Sequence, residues 1–148
     1  MIQRYEDGED INWNSIEDKH LVGGVLMAFL LRLPEPLIPY HMYNSLIVAS
    51  ESKESVSLKM GAYKAVLRDL PEPNMSMLAL LVDFLDTLTR DSDDNMMSAA
   101  NLAICFAPAL LRREEENLQQ LMKESPLVND CLTAIIDQFA FIFRVSII

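Results

Sequence analysis

Few side chains in this 148-residue sequence are of types that do chemistry, and their spacing limits what they can do. His20, His41, Cys105 and Cys131 are scattered too widely for any zinc-ligand pattern, so no metal site is expected. Asp83, Asp86, Asp91, Asp93 and Asp94 concentrate negative charge without the alternating acidic order and glycine of a calcium loop. They read as a solvated helix end. Gly23-Gly24 is followed by apolar residues inside a helical pattern, which fits a close-packing point rather than a phosphate-cradling loop. No serine, histidine and acid group into a triad without arbitrary pairing. The nine methionines read as core fillers. An independent enzyme is not expected, and no cofactor is called for.

The elements that carry these residues are helical. Leu21, Val22, Val25, Leu26, Phe29 and Leu30 recur at three- and four-residue steps, predicting a helix that Ser15 or Asp18 caps and Pro34 terminates. A second helix is predicted from Pro39 to Ala49. Val56, Met60, Tyr63, Leu67 and Leu70 form the buried stripe of a third, which Pro71 and Pro73 end. Leu78, Leu81, Leu85 and Leu88 mark a fourth, closed by the polar tract from Asp91 to Asn95. Asn95 or Ser98 caps a fifth, Met97 to Phe106, expected to be buried on several sides until Pro108 breaks it. Arg112 to Glu124 reads as an exposed charged stretch, with Ser125-Pro126 starting the last helix. That helix buries Val128, Cys131, Leu132, Ile135, Phe139 and Phe143. Strand alternation and hairpin turns are missing, so the expected fold is an all-α multi-helix bundle.

Composition sets the outer limits. With 51% apolar residues, 23% charged residues and 4 glycines, the chain has material for one packed domain over 1–148. Its expected parts are a lead-in at 1–14, a helical core at 15–143 and a tail at 144–148. Twelve basic against 22 acidic residues give a net charge of -10, which repels nucleic acid and anionic membrane surfaces. The longest uncharged apolar run, Leu21 to Leu31, falls well short of the roughly 18–20 residues that span a bilayer. The N-terminus lacks the layout of a signal peptide, and two cysteines give no disulfide framework, so a cytoplasmic location is expected.

Four stretches narrow this picture. Asp18-Lys19-His20-Leu21-Val22 leads into LLRLPEPLIPYHMY at 30–43, followed by LRDLPEPN at 67–74, NMMSAANLAICFAPALLR at 95–112 and IIDQFAFIF at 135–143. In order and spacing they resemble the Rho GTPase-activating (RhoGAP) domain family. The resemblance implies a helical module that docks on the switch regions of a GTP-bound Rho-family small GTPase and promotes GTP hydrolysis. The GTPase would own the nucleotide and its Mg²⁺, so this chain would be an activator and not the hydrolase. Such activators insert an arginine finger worth about 10³ to 10⁵ in rate. The family's finger lies in a glycine-aromatic-Arg-hydrophobic-Ser-Gly loop upstream of the stretches found here. The expectation is therefore a domain incomplete at its N-terminus, covering the distal three-quarters of the family pattern and lacking the finger. Gly8-Glu9-Asp10 matches the glycine-acidic turn that follows that loop.

The resemblance also assigns residues. Met27 and Leu31 stand where the family's GTPase-facing helix carries a lysine and an arginine, and Arg32, rotated roughly 100° around the helix, is a partial substitute. Asn101 is assigned hydrogen bonding near the switch surface; the alternative is that it satisfies backbone groups. Ala109 replaces a polar interface residue. His20, Leu33, Pro34, Glu35, Pro36, Leu37, Asn95 and Pro108 belong to the structural motif, with Glu35 as a cap for the following turn. Arg144, in FIFRVSII at 141–148, superficially resembles a finger but follows the last helix, where a frayed helix end is expected. The alternative function is a catalytically inactive GAP-like binding or scaffolding domain. An exposed apolar patch is expected on either reading.

Overall fold

A computed structural model describes residues 1–144 as helices joined by short connections, with no strand among the described residues. The expected all-α class is thus observed. The chain divides into two compact units, Met1–Pro34 and Glu35–Ile148. Residues 145–148, most of the expected tail, lie outside the described residues.

The first unit contains α1 (Ile2–Glu6), a 3-10 turn (Trp13–Ser15) and α2 (Lys19–Arg32). Gly8 turns the chain after α1 at φ +77°, a conformation open to glycine and costly for other residues. Arg4 pairs with Glu9 across that turn at 2.6 Å, and the Tyr5 and Trp13 rings meet at 6.0 Å between centroids. Asp18 caps α2 by accepting from the amides of His20 and Leu21. Val25 and Leu30 are buried, whereas Leu21 and Phe29 are exposed. Side chains added at Gly23 or Gly24 would meet nothing within 4 Å, so the expected close-packing role of this pair is not observed.

The second unit contains α3 (Tyr40–Glu51), α4 (Val56–Leu67), α5 (Asn74–Thr89), α6 (Ser92–Asn95), α7 (Ala99–Leu110), α8 (Leu118–Asp137) and α9 (Phe139–Phe143). The starts of α3, α4, α7 and α8 are built from side chains that satisfy orphan amides. Glu35 accepts from the Tyr40 amide, Ser55 from Leu58, Ser98 from Asn101 and Asn117 from Gln120. α7 and α3 pack on α8, α4 packs on α3, and α9 lies against α4 and α5. Leu46, Leu78, Val82, Leu85, Leu102, Ala103, Leu132, Ile135 and Ile136 form the centre of the core. The buried Ser50 and Tyr63 hydroxyls share a hydrogen bond of 2.9 Å, and Ser50 also donates to the Leu46 carbonyl. Burial pushes the Tyr63 hydroxyl up to about 12 and the Cys131 thiol up to about 12.

Several expected boundaries shift. Pro108 lies inside α7 and does not break it. Pro126 lies inside α8, which starts eight residues earlier at Leu118, so much of the expected charged stretch is helix. One missing amide weakens a helix by a limited amount, and the apolar face of α8 beyond Pro126 outweighs it. Val56 and Leu88 leave the expected buried stripes, Val56 being exposed and Leu88 half-buried. At the C-terminus Ile142 is the buried residue, while Phe139 and Phe143 are half-buried and stack at 5.4 Å.

Candidate functional site

In the first unit, His20, Gly24, Met27 and Leu31 follow one another at steps of four, three and four along α2, which puts them on one stripe. His20, Gly24 and Leu31 are exposed and Met27 is half-buried. The exposed apolar surface of this stripe comes from Leu31, with a partial contribution from Met27. Arg32 points elsewhere: its Nη1 is ion-paired with Glu6 Oε1. The cation expected to substitute at this surface is therefore engaged within its own unit. Leu33 is half-buried and Pro34 exposed at the end of the unit, while Pro36 and Leu37 are buried in the next.

In the second unit, Ser98, Asn95 and Asn101 build the entry to α7. Met96 closes α6 in a left-handed conformation, φ +60°, that aims its carbonyl at the Asn101 side chain, which donates Nδ2 to it at 2.9 Å. Asn95 donates to the Leu88 carbonyl and accepts from the Met97 amide. Asn101 is nevertheless exposed, so both roles weighed for it are compatible with its position. From there Ala100, Asn101, Ile104, Cys105 and Pro108 make one continuous exposed face of α7, which was expected to be buried on several sides. Ala109, by contrast, has no exposed surface and offers nothing to a partner.

The α7 face borders an open groove of about 510 Å³ against α8. Ala100 and Ile104 form one wall, and Met122, Pro126, Asn129 and Asp130 belong to the other. Ile104 is 59% exposed and Met122 70%, a degree of apolar exposure that isolated core packing does not require. Pro108 has no N–H to give the Ile104 carbonyl, and Pro126 has none for the Met122 carbonyl. Both carbonyls belong to groove residues. Ile104 and Met122 give the groove apolar walls, and the exposed Asp130 carboxylate among its lining residues is a hydrogen-bond acceptor.

Two residues along α8 from Met122, Glu124 centres a largely buried polar cluster that sequence reasoning missed. Arg113 makes a bidentate pair with Glu124, Nε to Oε2 at 2.9 Å and Nη2 to Oε1 at 2.7 Å. Tyr43 donates its hydroxyl to Glu124 Oε2 at 2.8 Å, and the guanidinium lies 4.5 Å from the Tyr43 ring centroid. The Arg113 hydrogen bonds hold the Glu124 carboxyl down to about 2 against the opposing effect of burial. Burial and the facing carboxylate push the Tyr43 hydroxyl well above its usual range. The available signal was Asn117 three residues ahead of Gln120, a helix-start pattern that would have moved Glu124 from loop to helix.

The described residues contain no cluster of three His, Cys, Asp or Glu side chains able to hold a metal ion. No helix among the described residues is long and apolar enough to cross a membrane. Comparison with known proteins identifies the family to which this fold belongs. The RhoGAP domain model matches residues 1–115. The chain belongs to the RhoGAP domain family. Rho GTPase-activating protein gacY of Dictyostelium discoideum is 33% identical over 144 residues, covering 97% of this chain and 20% of that protein. Rho GTPase-activating protein gacN of the same organism is 34% identical over 140 residues, covering 95% of this chain and 23% of that protein. The chain therefore spans about a fifth of the length of these relatives. The crystal structure of human Rho GTPase activating protein 15 superposes with a TM-score of 0.86 at 30% identity, covering 97% of this chain and 70% of that one. A RhoGAP domain is a GTPase activator and not itself the hydrolase, which agrees with the expectation from the sequence.

Proposed function

We infer that this chain is a docking module for GTP-loaded Rho-family small GTPases, engaging them through the exposed α7 face around Asn101 and Ile104 and its groove with α8. The observation that carries the reading is the pairing of RhoGAP family membership with an exposed, partly apolar face on the helix that holds Asn101. The α2 stripe containing Met27 and Leu31 contributes a second contact surface, apolar where the family pattern is basic.

Residues 1–148 taken alone bind without strong activation. No segment of the chain has the finger motif, and five of its seven arginines are engaged internally: Arg4 with Glu9, Arg32 with Glu6, Arg90 with Asp86, Arg112 with the Pro108 carbonyl and Arg113 with Glu124. Activation then requires an arginine from elsewhere in a longer protein. If none is supplied, the module serves as an inactive binding or scaffolding domain, a second reading favoured by Met27 and Leu31.

Single-turnover GTP hydrolysis by a panel of Rho-family GTPases, with and without stoichiometric chain, tests both. Binding with less than about tenfold acceleration is expected. Acceleration of about 10³ or more would show that an arginine of this chain reaches the phosphate. Absence of binding to every GTP-loaded member would overturn the docking reading. Met27→Lys combined with Leu31→Arg is expected to tighten binding about tenfold, and unchanged affinity would remove the α2 stripe from the interface.

A further inference from the structure

The first two turns of α8 lack the means that hold the rest of the second unit together. Of the residues from Leu118 to Ser125, Glu124 alone is buried; Leu118 is 72% exposed, Met122 70% and Leu121 44%. Apolar burial therefore does little to fix this segment on the body of the unit. Pro126 then removes one amide bond, that to the Met122 carbonyl, from the ladder joining these turns to the buried half of the helix. What ties them down is the Glu124 carboxylate, gripped by Arg113 from the preceding connection and by Tyr43 from α3. Met122, a wall of the groove, rides on the same turns.

We propose that Arg113, Glu124 and Tyr43 form a latch that positions the N-terminal turns of α8, and with them the Met122 wall of the docking groove. The latch acts through Met122 and touches no partner itself. An ion pair suits this task, because its bidentate geometry fixes direction as well as distance. A buried carboxylate deprived of its partner is also strongly disfavoured, so the arrangement has a single well-defined closed state.

This inference rests on the docking reading, and hydrogen exchange separates the two. In Arg113→Met, amides of 118–125 are expected to exchange about tenfold faster or more, while those of α3, α4 and α5 keep their protection. Affinity for a Rho-family GTPase loaded with a non-hydrolysable GTP analogue is expected to fall about tenfold in the same variant. Arg113→Lys, which keeps the charge and loses the fork, should recover part of both effects; it also serves as the test if Arg113→Met does not fold. Unchanged exchange over 118–125 would overturn the latch. Faster exchange with unaltered affinity would overturn its role in shaping the groove. Faster exchange in a chain that binds no GTP-loaded Rho-family protein would support the latch and sink the docking reading.

Discussion

Glu124 illustrates how one residue can reverse its expected role. In the sequence it closes a charged run that reads as solvated surface; in the fold it is 9% exposed and held by a guanidinium and a phenol. The sign of its pH dependence follows. Its carboxyl titrates lower in the folded chain than in the unfolded one, so its contribution is complete above the ordinary carboxylate range. That contribution disappears as pH falls toward about 2, the folded value. Allowing for solvent at the partly open Arg113 side, about 1–2 kcal/mol should be lost across this window. Urea denaturation between pH 5 and pH 2 should show the loss, and Glu124→Gln should be less stable at pH 5 with a flatter profile below it. A parallel profile in the variant would contradict the assignment. No periodicity could reveal this pair, because Arg113 and Glu124 come together only once α8 turns back on the connection that precedes it.

Elements were legible where their signals are local. Asp18, Ser98 and Glu35 were among the caps readable from the sequence because a polar acceptor ahead of an apolar period has one efficient use; of the pairs left open, Asp18 rather than Ser15 caps α2 and Ser98 caps α7. The interior prolines of α7 and α8 were misleading, since the rule that proline ends a helix neglects the packing that can carry a helix past it. The exposed face of α7 was also missed: small and apolar residues all round read as a buried helix, whereas exposure depends on which neighbours exist. Two substitutions at the α6–α7 connection test its construction by thermal unfolding. Ser98→Ala should cost about 1 kcal/mol through loss of the cap. Met96→Gly should stabilise by roughly 0.5–1 kcal/mol, because glycine adopts φ +60° without strain and the methionine side chain is 74% exposed.

For the whole molecule, charge and apolar exposure oppose each other. A net charge of -10 keeps copies apart at neutral pH, while Val48, Leu80, Phe84, Ile104 and Met122 each expose half or more of their surface. The expectation is a monomer at neutral pH and low salt that associates as pH approaches the isoelectric point near 4.5. Sedimentation velocity at pH 7.5 and pH 5 would show it, and a single unchanged monomer peak in both would contradict it. Length and composition could anticipate a packed core; the division at Pro34 follows from contacts that no composition records.

Asn101 carries a consequence for the history of this sequence. Its side chain closes the turn ahead of α7 by meeting the Met96 carbonyl, and its exposed position is where we propose that a partner docks. A residue under two demands is protected by whichever is the stricter. In a lineage that had abandoned its partner, selection for a folded chain would still retain this asparagine, and the signature of the lost occupation would outlive the occupation itself.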